Sequence, residues 1–320
     1  MDYSPDQLIA RFDKAKENRQ LWESHWQECY DYALPQRKGF FSQSSLSGAK
    51  RNDQLFDGTA PDAVDQLSAS MLSYLTPPWS RWFGLQAGPH VEEDQMEEIN
   101  QQLDTVSNVL QMHFERSNFS IEMHQCFLDL VTIGTACLFF EENQPGETSA
   151  FRFSAVPLSE VVVEEDASGM LHNCFRRFEL SEDDVMKKFE TAKQLLLKHA
   201  SLRGKHTQEK RYNVLEAGIK SDTAYDYIAL LLGGDNQMQE AQLLKVARLS
   251  HSPFICFRWL KAPGESYGRS PIMKALPDIK TANKVVELAL KNASIAVTGI
   301  WQADDDGVLN PANIQLVPGT

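Results

Sequence analysis

Residues 252–297 read SPFICFRWLKAPGESYGRSPIMKALPDIKTANKVVELALKNASIAV, and this stretch decides the fold. An apolar strand gives way to a turn marked by glycine and proline, and then to a long helix with few charges. Pro277-Asp278 is the expected main start of that helix, since proline suits a first turn and an acidic residue suits the positive end of the helix dipole. From Asp278 to Val297 it would extend about 30 Å at 1.5 Å per residue. Lys280, Lys284, Glu287 and Lys291 fall within an arc of about 60° at 100° per residue. Ala282, Val285, Val286, Ala289, Ala293 and Ala296 fall on the opposite side. The helix thus has one narrow charged stripe and one face of small residues. Such a face lets a second helix approach closely, whether from this chain or another.

Upstream, Ser4-Pro5-Asp6 opens a helix expected to reach Ala33, with Leu8, Phe12, Ala15, Arg19, Trp22, Trp26 and Tyr30 as its inward face. Thr59-Ala60-Pro61-Asp62 reads as a capping-box variant for a second helix whose buried stripe is Ala63, Val64, Leu67, Met71, Leu72 and Leu75. Trp79–Leu85 reads as an aromatic corner entering a strand. A polar helix over 91–117, acidic at its start and basic at its end, and a buried helix over 119–133 follow, the latter stopped by Gly134. The middle of the chain turns to short runs rich in Val and Phe over 135–141, 150–157, 160–164 and 170–178, with Asp166-Ala167-Ser168-Gly169 as a hairpin turn. One helix is expected from Ser181 to about Ala200, then a three-strand meander over 212–219, 225–232 and 242–248. Helices, then strands, then a long helix make an α+β fold: a mixed helical and antiparallel β body followed by one long helix.

Composition narrows the function. The chain has 320 residues, 42% of them hydrophobic, and a net charge of −13. From Pro271 onward four lysines oppose four aspartates and one glutamate, so nearly all the negative charge lies before the last helix. This charge argues against binding nucleic acid through a broad basic surface, because that affinity comes from Lys and Arg neutralising phosphates, but not against a protein along which DNA slides. The five cysteines are widely spaced without a CxxC pair and read as buried free thiols of a reducing compartment. No run of 18 apolar residues offers a membrane span.

Chemistry-bearing motifs are absent. There is no GxxxxGK[ST], GxGxxG after a strand, HExxH, GxSxG or EF-hand loop. His199 and His206 read as a charged helix end and loop, and Asp304-Asp305-Asp306-Gly307 as an acidic hairpin turn. The six tryptophans read as core and subunit packing, since no basic patch surrounds them. No catalytic, cofactor or metal residue is assigned.

Four segments together carry a resemblance: 26–37 (WQECYDYALPQR), 54–85 (QLFDGTAPDAVDQLSASMLSYLTPPWSRWFGL), 156–180 (VPLSEVVVEEDASGMLHNCFRRFEL) and 253–283 (PFICFRWLKAPGESYGRSPIMKALPDIKTAN). In this order they resemble the head-to-tail connecting, or portal, proteins of short-tailed phages. The resemblance implies a non-enzymatic ring, usually of twelve subunits, at one capsid vertex, assembled in the host cytoplasm and carried in the virion. It implies capsid and scaffold proteins, a terminase and a tail adaptor as partners, and double-stranded DNA passing through without sequence-specific binding. It further implies a wing-like body over 1–270, a stem-like helix over 271–298 and the start of a clip-like segment over 299–320, with the family's C-terminal part lying beyond the chain end. Lys280, Lys284 and Lys291 are then the candidates to face the channel. Ala282, Ala289, Ala293 and Ala296 are the candidates to pack on a neighbour. The rival readings are a tail adaptor or scaffold-binding module, and a phage enzyme.

Overall fold

The computed structural model describes residues 4–37, 39–41, 55–166, 168–200, 211–232 and 241–298, with side chains left out at 93, 94, 197–200 and 298. Most of the polar loop expected over 36–51, the turn signal Gly233-Gly234-Asp235-Asn236, His199's side chain, His206, Trp301, the acidic turn at 304–307 and the expected clip-like segment lie outside the described residues.

Ser4-Pro5 opens α1 (Pro5–Ala33) as expected, and its buried face follows the one read from the sequence, including Arg19, except that Trp22 is half-buried and Cys29 and Ala33 join the buried set. α2 (Thr59–Leu75) differs in two ways. Thr59 does not cap it: Gly58 holds the cap position without a side-chain bond, and Asp57 instead accepts from the Thr59 N–H and hydroxyl. Its buried residues are Ala60, Val64 and Ser68, one small residue per turn, which seats α2 closely on α4 (Phe119–Ile133). The expected Leu67 and Leu75 are left exposed, Ala63 is exposed too, and Met71 and Leu72 are half-buried. No strand forms over 79–85. The backbone there and just beyond bonds to side chains of α3 (Glu93–Arg116), with the Leu85 N–H on Ser107 Oγ and the Ala87 N–H on Asn100 Oδ1.

α4 is buried along most of its length and ends at Gly134 in the left-handed region, φ 79°. It packs against a three-stranded antiparallel sheet ordered β2-β1-β8, with β1 (Thr135–Glu142), β2 (Phe151–Val156) and β8 (Phe254–Arg258). The expected meander is part of a larger antiparallel sheet ordered β3-β4-β5-β6-β7. Its strands are β3 (Val161–Glu165), β4 (Leu171–Ser181), β5 (Arg211–Ser221), β6 (Ala224–Leu231) and β7 (Gln242–Leu249).

Both faces of the larger sheet are covered over β3 and most of β5 and β6, which read as apolar runs, whereas β7 and the second half of β4 leave residues exposed. Side chains alternate between the faces. Val162, Phe175, Ile228 and Leu230 meet Leu8, Phe12 and Ala15 of α1, whereas Val161, Val163, Cys174 and Ala229 enter the main core. The single helix expected over 181–200 is two, α5 (Glu182–Lys188) and α6 (Glu190–Ala200). Phe189 breaks it: the residue takes extended backbone angles and buries its ring in the core. Beneath α5, Lys188 reaches the fully buried Glu216 at 2.8 Å, and the Tyr227 hydroxyl donates to the same carboxylate.

β9 (Leu260–Lys261) and β10 (Gly268–Arg269) form a short ladder leading into α7 (Pro271–Thr298). The helix starts at Pro271, and Pro277 lies inside it, which corrects the expected start. The decisive signal is Ser270-Pro271. Ser270 Oγ accepts from the Met273 N–H at 2.9 Å, and Pro271 fills the first position, where no donor is needed.

Candidate functional site

The segments that carried the resemblance meet around the foot of α7, each residue type for a physical reason. In Tyr267-Gly268-Arg269-Ser270-Pro271, Tyr267 is buried edge-on against Trp26, ring centroids 4.9 Å apart, with Trp22 beside it. Gly268 and Gly134 cross backbone to backbone. A Cβ on Gly268 would stand 2.1 Å from Gly134 O, so neither position has room for a side chain. The Gly268 N–H donates to Thr135 Oγ1 at 2.8 Å, and Ser270 Oγ donates to Thr132 O at 2.8 Å while capping α7. Arg269 lies over the Trp22 ring at 4.9 Å and pairs with Glu265.

α1 supplies the other wall. Arg19 is buried, and its Nη1 donates to the carbonyls of Leu158, Ser159 and Val161 at 2.9–3.0 Å, tying α1 to the entry of β3. Tyr30 donates to Asp129 on α4, and Arg37, just past α1, grips the same carboxylate with two nitrogens. Burial pushes the Asp129 carboxyl upward, while the Arg37 guanidinium and the Tyr30 hydroxyl pull it back. The segment entering α2 is held by α7 itself: Asn283, buried in mid-helix, accepts from the N–H groups of Phe56 and Asp57 at 2.7 and 3.1 Å.

Beyond Asn283 no described side chain of the helix is fully buried. Its buried residues are Ile272, Met273, Leu276 and Asn283, all in the first half. The fifteen residues of 284–298 rise about 22 Å at 1.5 Å each. Val285, Leu288, Leu290 and Val297 there are between 49% and 87% exposed. At 100° per residue they span about 200° of the helix circumference, well beyond the width of stripe that one packed neighbour covers.

The charged stripe is brought together. Lys284 and Lys291 both pair with Glu287, at 2.9 and 2.5 Å, and hold its carboxyl below the usual range. Lys280, lower on the helix, reaches Glu28 of α1 at 3.3 Å. The stripe therefore rises from the edge that touches α1. Ala282, Ala289, Ala293 and Ala296, on the far side, are all exposed. Sequence reasoning placed Arg19 on the inward face of α1 without its partners, and missed Asn283 as an anchor. A polar residue between apolar neighbours in each helix was the available signal, but it does not say which backbone groups it would meet. Trp22, Trp26 and Trp82 are packed among aromatic rings, whereas Trp79 is exposed. Among the described residues no helix is long and apolar enough to cross a membrane.

Known proteins bear on this geometry. A family model described as bacteriophage head to tail connecting protein matches residues 5–320. A probable portal protein of Bordetella phage BPP-1 is 26% identical over 285 residues, 85% of this chain and 50% of that protein. The portal protein of Escherichia phage T7 is 20% identical over 315 residues, 95% of this chain and 54% of the relative. The portal protein of Salmonella phage epsilon15 is 23% identical over 184 residues, 58% of this chain and 32% of its own length. The chain spans about half the length of the curated relatives that it matches along most of its own length.

Proposed function

The chain belongs to the family of bacteriophage head-to-tail connecting proteins, and from that premise we propose that it supplies the outer body and a channel-side helix of a portal subunit. The observation that carries the reading is the spread of exposed apolar residues on the second half of α7, Val285, Leu288, Leu290 and Val297, too wide for a single partner. A ring of copies covers such a helix on two flanks and leaves one narrow strip for water. The strip that tolerates water is the one bearing Lys284, Glu287 and Lys291.

In this reading residues 1–270 form the wing, 271–298 the stem helix and 299–320 the start of the clip. Ala282, Ala289, Ala293 and Ala296 receive the neighbouring subunit. Lys284 and Lys291 face the channel, and Lys280 stands at the base of the same strip, where Glu28 holds it. Glu287 offsets part of the lysine charge, which limits the number of phosphates held and so the drag on moving DNA. The chain works by assembly, without a reaction or a cofactor. Its partners are further copies of itself in a closed ring, usually of twelve subunits in the family it resembles, capsid and scaffold proteins, a packaging terminase and a tail adaptor. It is assembled in the host cytoplasm and carried at one vertex of the virion.

Negative-stain microscopy of the assembled protein tests the proposal. Rings with a central hole are expected, and their absence under every assembly condition would overturn it. Replacing Lys284 and Lys291 by Ala is expected to alter DNA retention or ejection by the particle while leaving ring formation intact. Unchanged retention and ejection would remove the channel role of the lysines and leave the ring reading standing.

A further inference from the structure

Three of the five cysteines converge. Cys137 on β1 and Cys256 on β8 are direct cross-strand partners. The Trp259 N–H donates to Gly134 O and the Phe140 N–H donates to Pro253 O. Hydrogen-bonded pairs therefore fall at 134/259 and 140/253 and at every second residue between them. Cys137 and Cys256 form a non-hydrogen-bonded pair, the kind whose side chains stand closer together. Cys174 enters from β4 of the other sheet, next to Val163 and Gly218. The three Sγ atoms lie within 4.8 Å of one another, with Cys256 Sγ and Cys174 Sγ 3.7 Å apart.

That spacing matches a metal's coordination shell. Zinc–sulfur bonds of about 2.3 Å place ligand sulfurs about 3.8 Å apart in a tetrahedron and about 4.0 Å apart in a trigonal plane. Sulfur donors select soft or borderline ions over hard ones. We propose that Cys137, Cys174 and Cys256 form a three-sulfur site for a thiophilic divalent cation, with zinc as its natural occupant.

Charge favours a divalent over a monovalent ion. Three thiolates leave a residual charge of −1 around a divalent cation but −2 around a monovalent one, and buried charge is costly. Arg258, two residues along β8 from Cys256 and so on the same face of that strand, is the nearest cation in sequence, although it also serves Glu165. Among the described residues no His, Asp or Glu joins the three sulfurs. On binding, each thiol gives its proton to solvent as its sulfur becomes a ligand. The ion would fasten β1 and β8 of the small sheet to β4 of the large one, beneath the point where β8 leads toward α7.

The test uses the full chain, stripped of metal and kept reduced, titrated with cadmium(II) as the probe. We expect an ultraviolet sulfur-to-cadmium charge-transfer band that saturates at one equivalent, is displaced by zinc, and accompanies a rise in thermal midpoint. Cys29→Ser, outside the cluster, is expected to keep the band, and Cys174→Ser to weaken cadmium binding at least tenfold. No band in the folded, reduced chain, or a band unchanged in Cys174→Ser, overturns the proposal and leaves three thiols packed as small apolar side chains. Should Cys174→Ser fail to fold, X-ray absorption at the zinc edge of the unmodified chain decides. A three-sulfur shell supports the site, and a shell of nitrogen and oxygen alone overturns it.

Discussion

Gly268 and Gly134 show how one atom can govern the placement of a helix. Their backbones touch where the chain enters α7, and both obstructing groups are main chain, which cannot swing aside. Gly268→Ala is expected to cost about 3 kcal/mol or more in chemical denaturation, as a forced backbone shift does. Gly88→Ala, where a Cβ meets nothing within 4 Å, is expected to stay within about 0.5 kcal/mol. Arg19→Ala would take from three carbonyls the donor that a single guanidinium nitrogen supplies, two of those bonds buried, with an expected loss of about 3 kcal/mol. Glu165 adds a pH signature. Hydrogen bonds from Lys261 outweigh the opposing desolvation, and with those from Arg258 they hold its carboxyl below the usual range. A carboxylate lowered on folding stabilises the protein above its unfolded pKa, and that contribution is lost as the pH falls through the folded value. Glu165→Gln should therefore lower stability by about 1 kcal/mol at neutral pH, and the gap to the unmodified chain should close in acid. A gap that persisted at the acid end would show that the loss comes from packing rather than charge.

α7 is two elements in one. Its foot is a core helix: Ile272, Met273 and Leu276 are buried, each worth about 1.5–3 kcal/mol relative to exposure. Pro277 removes the hydrogen bond to the Met273 carbonyl, an interior proline being worth about 3 kcal/mol or more against a helix. The foot outweighs it, and so the helix begins one and a half turns earlier than Pro277-Asp278 suggests. Among the described residues the shaft has no fully buried side chain, and the Lys284–Glu287–Lys291 cluster on it contributes little, as surface pairs do. Asn283 marks the join. Asn283→Ala should cost about 1–2 kcal/mol by leaving the Phe56 and Asp57 N–H groups without their acceptor. It should also raise amide hydrogen exchange at those two residues before it does so elsewhere. Ala289 is exposed among the described residues, so Ala289→Trp can be accommodated by them. The proposed ring predicts an unchanged melting temperature together with loss of closed rings by microscopy. Intact rings would place the subunit contact on another face.

For the molecule as a whole, the net charge of −13 bears on contact with DNA. The isolated chain should show no DNA binding at physiological salt, because few lysines stand without an acidic neighbour on the helix proposed to meet it. A gel shift persisting at that ionic strength would turn the function toward nucleic-acid recognition.

The sequence by itself determined the class and order of elements, because each is written in local terms. Ser4-Pro5 starts α1, Gly134 ends α4, and Asp166 with Gly169 turns β3 into β4, as the Asp166–Met170 and Gly169–Asp166 backbone bonds show. It also determined the inward face of α1, since a 3.6-residue period can be read without knowing the partner. Tertiary structure decided the rest. Which stripe of α2 is buried depended on α4 accepting Ala60, Val64 and Ser68 rather than the larger Leu67 and Leu75. The fate of 79–85 depended on Ser107 and Asn100 being at hand, and the break at Phe189 on room for its ring in the core. The convergence of three cysteines that lie 37 and 82 positions apart along the chain followed only from the packing of two sheets. Local propensity acts over a few residues, whereas burial and closest approach are properties of pairs of surfaces, and only the folded chain brings those surfaces together.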